Sequence, residues 1–259
     1  MGVGGVLLVN GAVVTGLMLV VWLLSLKLRD ASIVDIAWGP AFAVVAWVTF
    51  SLADGDDTRR VLLAVLPTLW GVRLGAYLAM RANGRGEDFR YRAMRRKHGS
   101  RFPLVSLATV FGIQGVLIWT VSLPVQVAPT AVDAIGVFDY LGVGVWSIGM
   151  FFEAVGDGQL SRFRADPSNE GKVMDRGLWR YTRHPNYFGD FMVWWGVYLI
   201  ALSAGGAWWT ILGPIVMTTL LTRVSGKALL EKSLRKRREG YEEYARRTSG
   251  FFPRPPKRA

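Results

Sequence analysis

The stretch "GLWRYTRHPNYFGD", residues 177–190, decides how the rest of the chain is read. It sets Arg180, Arg183 and His184 beside Trp179, Tyr181, Asn186 and Tyr187, directly ahead of the apolar run "FMVWWGVYLIAL" at 191–202. His-Pro-Asn favours a turn, and a helix is expected to begin near Tyr187, with Arg183, His184, Asn186 and Tyr187 at its polar edge. A dense set of hydrogen-bonding groups at the mouth of an apolar helix fits a membrane span that meets a polar ligand at its end.

Working outward, the 259 residues are 51% hydrophobic, with a mean hydropathy of +0.28, and the apolar residues cluster in long runs. That is too apolar for an ordinary soluble domain. With no cysteine, disulfides, thiolate metal sites and cysteine nucleophiles are excluded. His98 and His184 are the two histidines, too few for a histidine-rich metal centre, and no metal is expected. The formal net charge of +12 points to cytosolic loops and anionic headgroups, not nucleic acid, because the sequence shows no recognition module. The first apolar run lacks a basic leader, so it reads as a retained helix.

A span needs about 20 mostly apolar residues to cross roughly 30 Å of hydrocarbon. Seven segments qualify: about 4–26, 32–53, 60–80, 104–129, 135–156, 188–204 and 206–224. Continuous runs without period-two alternation imply helices, not a barrel. Loop 81–103 holds eight Lys/Arg against two acids. Loop 157–187 holds Arg162, Arg164, Lys172, Arg176, Arg180 and Arg183. The tail from Ser225 holds eleven bases against four Glu. The alternate loops are short and poor in base. The positive-inside rule then predicts an all-α integral membrane protein of the cell membrane. It has seven transmembrane helices, an outside N-terminus and a cytosolic basic tail, as one membrane domain over 1–259. The tail reads as a basic amphipathic helix ending at Gly250 and Pro253.

Ionisable groups inside spans are costly, so each needs a reason. Asp35, in "SIVDIAWGPAF", is either the N3 partner of an N-capping Ser32 or a proton donor facing a cavity. In "LWGVRLGAYL", Trp70, Arg73 and Tyr77 share one helix face, which makes Arg73 a candidate partner of Asp35. Glu153 and Asp157 stand at i, i+4 where the fifth span ends. They are either a solvated helix end or acceptors for ribose and amide groups, with Arg162, Arg164 and Lys172 supplying phosphate contacts. No Gly-x-Gly-x-x-Gly loop follows a strand, so any nucleotide is held by the bundle itself.

The 177–190 motif, a span, and then "RVSGKALLEKSLRKRREGYEEYARRTSGFFP" together resemble the DUF1295 membrane family. "SIVDIAWG" and "NGRGEDFRY" (83–91) carry the same resemblance. That family is related to the steroid 5-alpha-reductases, and more distantly to isoprenylcysteine and phospholipid methyltransferases. The resemblance implies a seven-helix fold with an NADPH site in the cytosolic half. It places cofactor contacts on Asn186, Asp190, Glu153, Asp157, Arg164, Lys172, Arg223 and Lys227. Arg183, His184 and Tyr187 belong to the same motif. At the substrate end the steroid enzymes use Gln-Glu in the second helix and a Tyr in the third, whereas here Val34-Asp35 and Trp70 stand in those places.

The expected function is therefore NADPH-dependent reduction of an activated C=C bond in a lipid, such as a 3-oxo-Δ4 steroid or an isoprenoid enone. Asp35, assisted by Trp70 or Tyr77, would donate to the carbonyl oxygen. The alternative is an S-adenosylmethionine-dependent methyltransferase of a lipid or prenyl acceptor, for which Asp35 is only structural. The many bases near the motif favour NADPH, because S-adenosylmethionine carries no phosphate. A lipid-binding or transport protein is a third reading, but no broken-helix repeat supports it.

Overall fold

The computed structural model describes residues 1–224, 231, 234, 235, 238 and 240–257. Among these residues the regular structure is helical, with a single isolated bridge between Thr182 and Ser249. In chain order the helices are α1 (Val3–Leu28), α2 (Ile33–Leu52), α3 (Asp57–Ala82), α4 (Phe89–His98) and α5 (102–121). Then come α6 (Leu123–Val127), α7 (Val137–Ala165), α8 (Pro185–Leu202), α9 (Leu212–Thr219, extended by a π turn Leu220–Val224) and α10 (Tyr241–Arg247). Five helical stretches among the described residues are long and apolar enough to cross a bilayer: Val3–Leu28, Ile33–Leu52, Asp57–Ala82, Phe89–Val121 and Val137–Ala165. α8 has 18 residues but opens on Pro-Asn-Tyr and carries Asp190, which dilutes its hydropathy.

Several boundaries differ from those the sequence suggests. Loop 81–103 contains helix α4, whose first turn is capped by Asp88 accepting from Arg90 N–H at 2.9 Å. The expected span 104–129 breaks at Ser122. Pro124 cannot donate to the ladder, and beside it the Trp119 carbonyl accepts from Gln126 Nε2 at 2.8 Å. α7 runs nine residues past the expected end at 156, to Ala165. At 1.5 Å per residue it is about 43 Å long, against roughly 30 Å of hydrocarbon.

The chain forms two compact units, Met1–Asp139 with Val197–Gly213, and Tyr140–Gly196 with Pro214–Ala259. In the first, α2 and α3 touch backbone to backbone. A Cβ on Gly39 would lie 2.4 Å from the Gly71 carbonyl oxygen, so only glycine permits this approach. Phe42 and Trp70, both fully buried, pack edge to face beside it at 5.4 Å. Polar ties add specificity: Asn10 Nδ2 donates to Thr49 Oγ1 at 2.8 Å, and Trp119 Nε1 to the Leu7 carbonyl at 3.0 Å. Arg59, fully buried, donates to both oxygens of Asp139 at 3.1 and 3.2 Å and to the Asp133 carbonyl at 2.7 Å. A guanidinium so deep is tolerable only because its donors are matched in this way.

In the second unit, α7 and α8 meet along a glycine seam. A Cβ on Gly189 would stand 2.5 Å from both the Glu153 nitrogen and the Gly149 oxygen. The tail is not one continuous amphipathic helix. Gly240 takes a left-handed φ of 74°, and α10 starts anew at Tyr241. Instead of lying free, the tail docks on the 177–190 motif. Tyr244 O–H donates to the Trp179 carbonyl at 2.6 Å, Thr182 Oγ1 to the Phe251 carbonyl at 2.7 Å, and Arg183 N–H to the Ser249 carbonyl at 2.9 Å.

Candidate functional site

In the second unit, Glu153, Asp157, Leu160 and Arg164 are spaced four, three and four apart on α7 and so share one face. Glu153 and Asp157 are each only 3% exposed. They therefore do not form a solvated helix end, and buried carboxylates require donors. The glycine seam brings one of these. Pro185 opens α8, Gly156 makes room for its ring, and Asn186 Nδ2 donates to Asp157 Oδ1 at 3.1 Å. Asp190 follows one turn along α8 from Asn186. The acidic and amide candidates named from the sequence thus arise from two adjoining helices.

The basic members of the motif have different work. Glu231 Oε1 lies 3.0 Å from His184 Nε2 and 3.1 Å from Arg183 Nη2. Arg183 Nη1 also donates to the Ala245 carbonyl at 2.8 Å. His184 is 1% exposed and stacks on Tyr187 with ring centroids 5.3 Å apart and planes 6° from parallel. His184 and Arg183 therefore anchor the tail, and Glu231 is a residue the sequence reading missed. Its signal was an isolated acid inside a strongly basic run. Arg164 and Lys172 line a cleft that also takes in Arg183. Arg223 is exposed on the π turn that follows α9, and Lys227 lies outside the described residues.

The second cluster lies in the first unit, where α2 begins. Ser32 does not cap α2: its backbone is helical and its hydroxyl accepts from Asp88 N–H at 3.2 Å. Asp35 finds its partners on α4, not on α3 with Arg73. Arg90 Nη2 donates to Asp35 Oδ2 at 2.7 Å, and Tyr91 O–H donates to Asp35 Oδ1 at 2.8 Å. Beside them, Glu87 accepts from Arg95 at 2.7 and 3.1 Å and from Ala31 N–H at 2.9 Å. Burial alone would raise the Glu87 pKa, but the Arg95 and Ala31 hydrogen bonds, with the charges of Arg95 and Arg92, hold it below the usual glutamate value. "GEDFRY" thus folds over the entrance of α2. Trp70 is buried core, whereas Tyr77 is half-buried with no hydrogen bond among the described residues. The phenol beside the acidic residue is Tyr91, the last residue of the stretch "NGRGEDFRY".

Chemically, the second unit offers acidic acceptors and an amide for hydroxyl and amide groups of a nucleotide, with cations further along the same helix. The first unit offers a phenol donor on a carboxylate whose other oxygen is ion-paired. Among the described residues, no three His, Asp or Glu side chains group to hold a metal ion.

Comparison with known proteins gives a family. The family model described as "Protein of unknown function (DUF1295)" matches residues 21–248, and the chain belongs to that family. An uncharacterised protein of Schizosaccharomyces pombe (strain 972 / ATCC 24843), C594.04c, is 26% identical over 267 residues, covering 91% of this chain and 76% of its own. No solved structure matches the chain.

Proposed function

We propose that this member of the DUF1295 family is a membrane-embedded reductase that uses NADPH to saturate an activated C=C bond in a lipid, such as a 3-oxo-Δ4 steroid or an isoprenoid enone. The observation that carries the reading is the Tyr91–Asp35–Arg90 arrangement. Reduction of an enone builds negative charge on the carbonyl oxygen and needs a positioned donor there. Methyl transfer from a sulfonium has no such need. In this geometry Asp35 accepts two hydrogen bonds, so the donor is the Tyr91 phenol.

Bound NADPH would supply the hydride to the β-carbon of the enone. The chain's residues do the rest. Tyr91 O–H turns from Asp35 to the oxygen as enolate charge grows, while Arg90 keeps the Asp35 carboxylate compensated. A solvent proton then completes the α-carbon. Asp157, Glu153 and Asn186 suit the ribose hydroxyls and carboxamide of a dinucleotide, and the cations Arg164 and Lys172 suit its phosphates. In this reading α8 and α9 act as the sixth and seventh spans, and the basic loops and tail favour a cytosolic position for this end. The lipid substrate and membrane lipids are then the partners, and no nucleic acid is involved.

A second reading keeps a specific observation in its favour. Two buried carboxylates, Glu153 and Asp157, also suit the ribose and ammonium groups of S-adenosylmethionine. Thermal stabilisation of the detergent-purified protein separates the two, since a ligand selective for the folded form raises the midpoint. NADPH is expected to raise it. A rise with S-adenosylmethionine alone would overturn the reductase reading.

A further inference from the structure

Beyond the carboxylate face, the second unit contains a cleft whose composition is unlike the rest of the chain. Four cations line it, Arg164, Lys172, Arg183 and Arg238, together with Tyr241. Among the described residues that line it there is no carboxylate, and the cavity volume is about 80 Å³. Its walls are apolar, with Phe163 and Trp179 among them. Bringing Lys172 and Arg238 to one cleft costs repulsion that an entering anion would relieve.

Among the described residues, neighbouring acids compensate the charges of Lys172, Arg183 and Arg238 only in part. Arg183 shares Glu231 with His184, which leaves its Nε buried without a hydrogen-bond partner among the described residues. Asp166 acts on Lys172 electrostatically, from beyond ion-pair distance. Among the described residues, neither Lys172 nor Arg238 has a carboxylate within ion-pair reach. The second independent sign is Tyr241. It is 2% exposed, yet its hydroxyl has no hydrogen-bond partner among the described residues. A buried hydroxyl costs free energy unless something accepts from it. Burial, and then the Glu231 charge, push its pKa up to about 12, so near neutral pH it remains an O–H donor.

We infer that this cleft binds a phosphate monoester attached to an apolar or aromatic body. Several cations together with one phenol donor match a dianion with three acceptor oxygens better than a carboxylate or a zwitterion. Guanidinium groups give forked contacts to two oxygens, and Lys172 contributes a point charge. The apolar walls accept what the phosphate is attached to. Two sources carry this chemistry, the ribose 2′-phosphate of a dinucleotide and the headgroup of a phosphatidic-acid-type lipid. The inference holds whichever cofactor the Glu153–Asp157 face takes.

The test is binding by the full-length protein in detergent micelles. One arm compares NADPH with NADH, which differ only in the 2′-phosphate. The other compares mixed micelles of phosphatidic acid with phosphatidylcholine. Inorganic phosphate serves as competitor, with chloride at matched ionic strength as control. At least one phosphate-monoester ligand is expected to bind more tightly than its counterpart and to be displaced by inorganic phosphate. Lys172→Ala and Arg238→Ala should each weaken that ligand about tenfold. Tyr241→Phe should weaken it several-fold without lowering the ligand-free melting point, because its hydroxyl has no hydrogen-bond partner among the described residues. Preference in the first arm names the nucleotide as the source, and in the second arm the lipid. Equal binding within both pairs, or a preference that survives in all three variants, overturns the inference. Loss of NADPH binding altogether, with the phosphatidic acid preference intact, would sink the reductase reading alone.

Discussion

His184 Nε2 and Glu231 Oε1 stand 3.0 Å apart, although 47 residues separate them in the chain. Arg183 joins the same carboxylate, so one acid from the tail holds two consecutive bases of the 177–190 motif. Removing the carboxylate leaves a nearly buried guanidinium without its counter-charge. Glu231→Ala should therefore lower stability by about 3 kcal/mol. Differential scanning measurements in detergent would show the loss. A midpoint equal to that of the parent would mean that the tail is held by Tyr244, Thr182 and Ser249 contacts alone.

The α7–α8 seam makes a sharper prediction. A methyl at position 189 would meet the Glu153 nitrogen and Gly149 oxygen at 2.5 Å, and backbone cannot yield as a side-chain tip can. Gly189→Ala should separate the helices, cost about 1–3 kcal/mol, and loosen the Asn186–Asp157 bond at the same time. Gly158→Ala, where nothing lies within 4 Å of the added methyl, is the control and should be close to neutral.

Tyr91→Phe removes the phenol and keeps the ring against Arg90, whose guanidinium carbon lies 5.3 Å from its centroid. If Tyr91 polarises the carbonyl, kcat for enone reduction should fall about a hundredfold with little change in KM. Retention of the parent rate would remove Tyr91 from the reaction and return the donor role to another group.

Glu87 supplies a pH test. The Arg95 and Ala31 hydrogen bonds outweigh burial and hold its carboxyl below the ordinary glutamate value of 4.5 in the folded protein. A depressed folded pKa means that the unfolded chain takes up its proton first. The stabilisation is therefore complete above pH 4.5 and is lost as pH falls through the lower folded value. Glu87→Gln should be less stable than the parent by about 1–2 kcal/mol at neutral pH. The gap between the two should close under acid conditions. A gap that stays constant with pH would show that shape, not charge, makes the contact.

Local features of the sequence determined much of this protein. Long apolar runs imply helices of membrane length, because backbone polar groups in hydrocarbon must be satisfied within the segment. The first three helices lie within a few residues of where those runs put them. The shared face of Glu153 and Asp157 was legible as well, because helical spacing fixes which residues lie on one side of a helix. Where the sequence fell short, the information was non-local. Tyr91 reaches Asp35 across 56 residues, and no periodicity reports such a partner. Helix α4 hid inside a basic loop, since charge count masks a helix with few apolar residues. The cleft draws Arg164, Lys172, Arg183, Arg238 and Tyr241 from three separate segments. Sequence could count those cations, but only the folded chain decides which charges a neighbouring carboxylate compensates and which are left facing a common space.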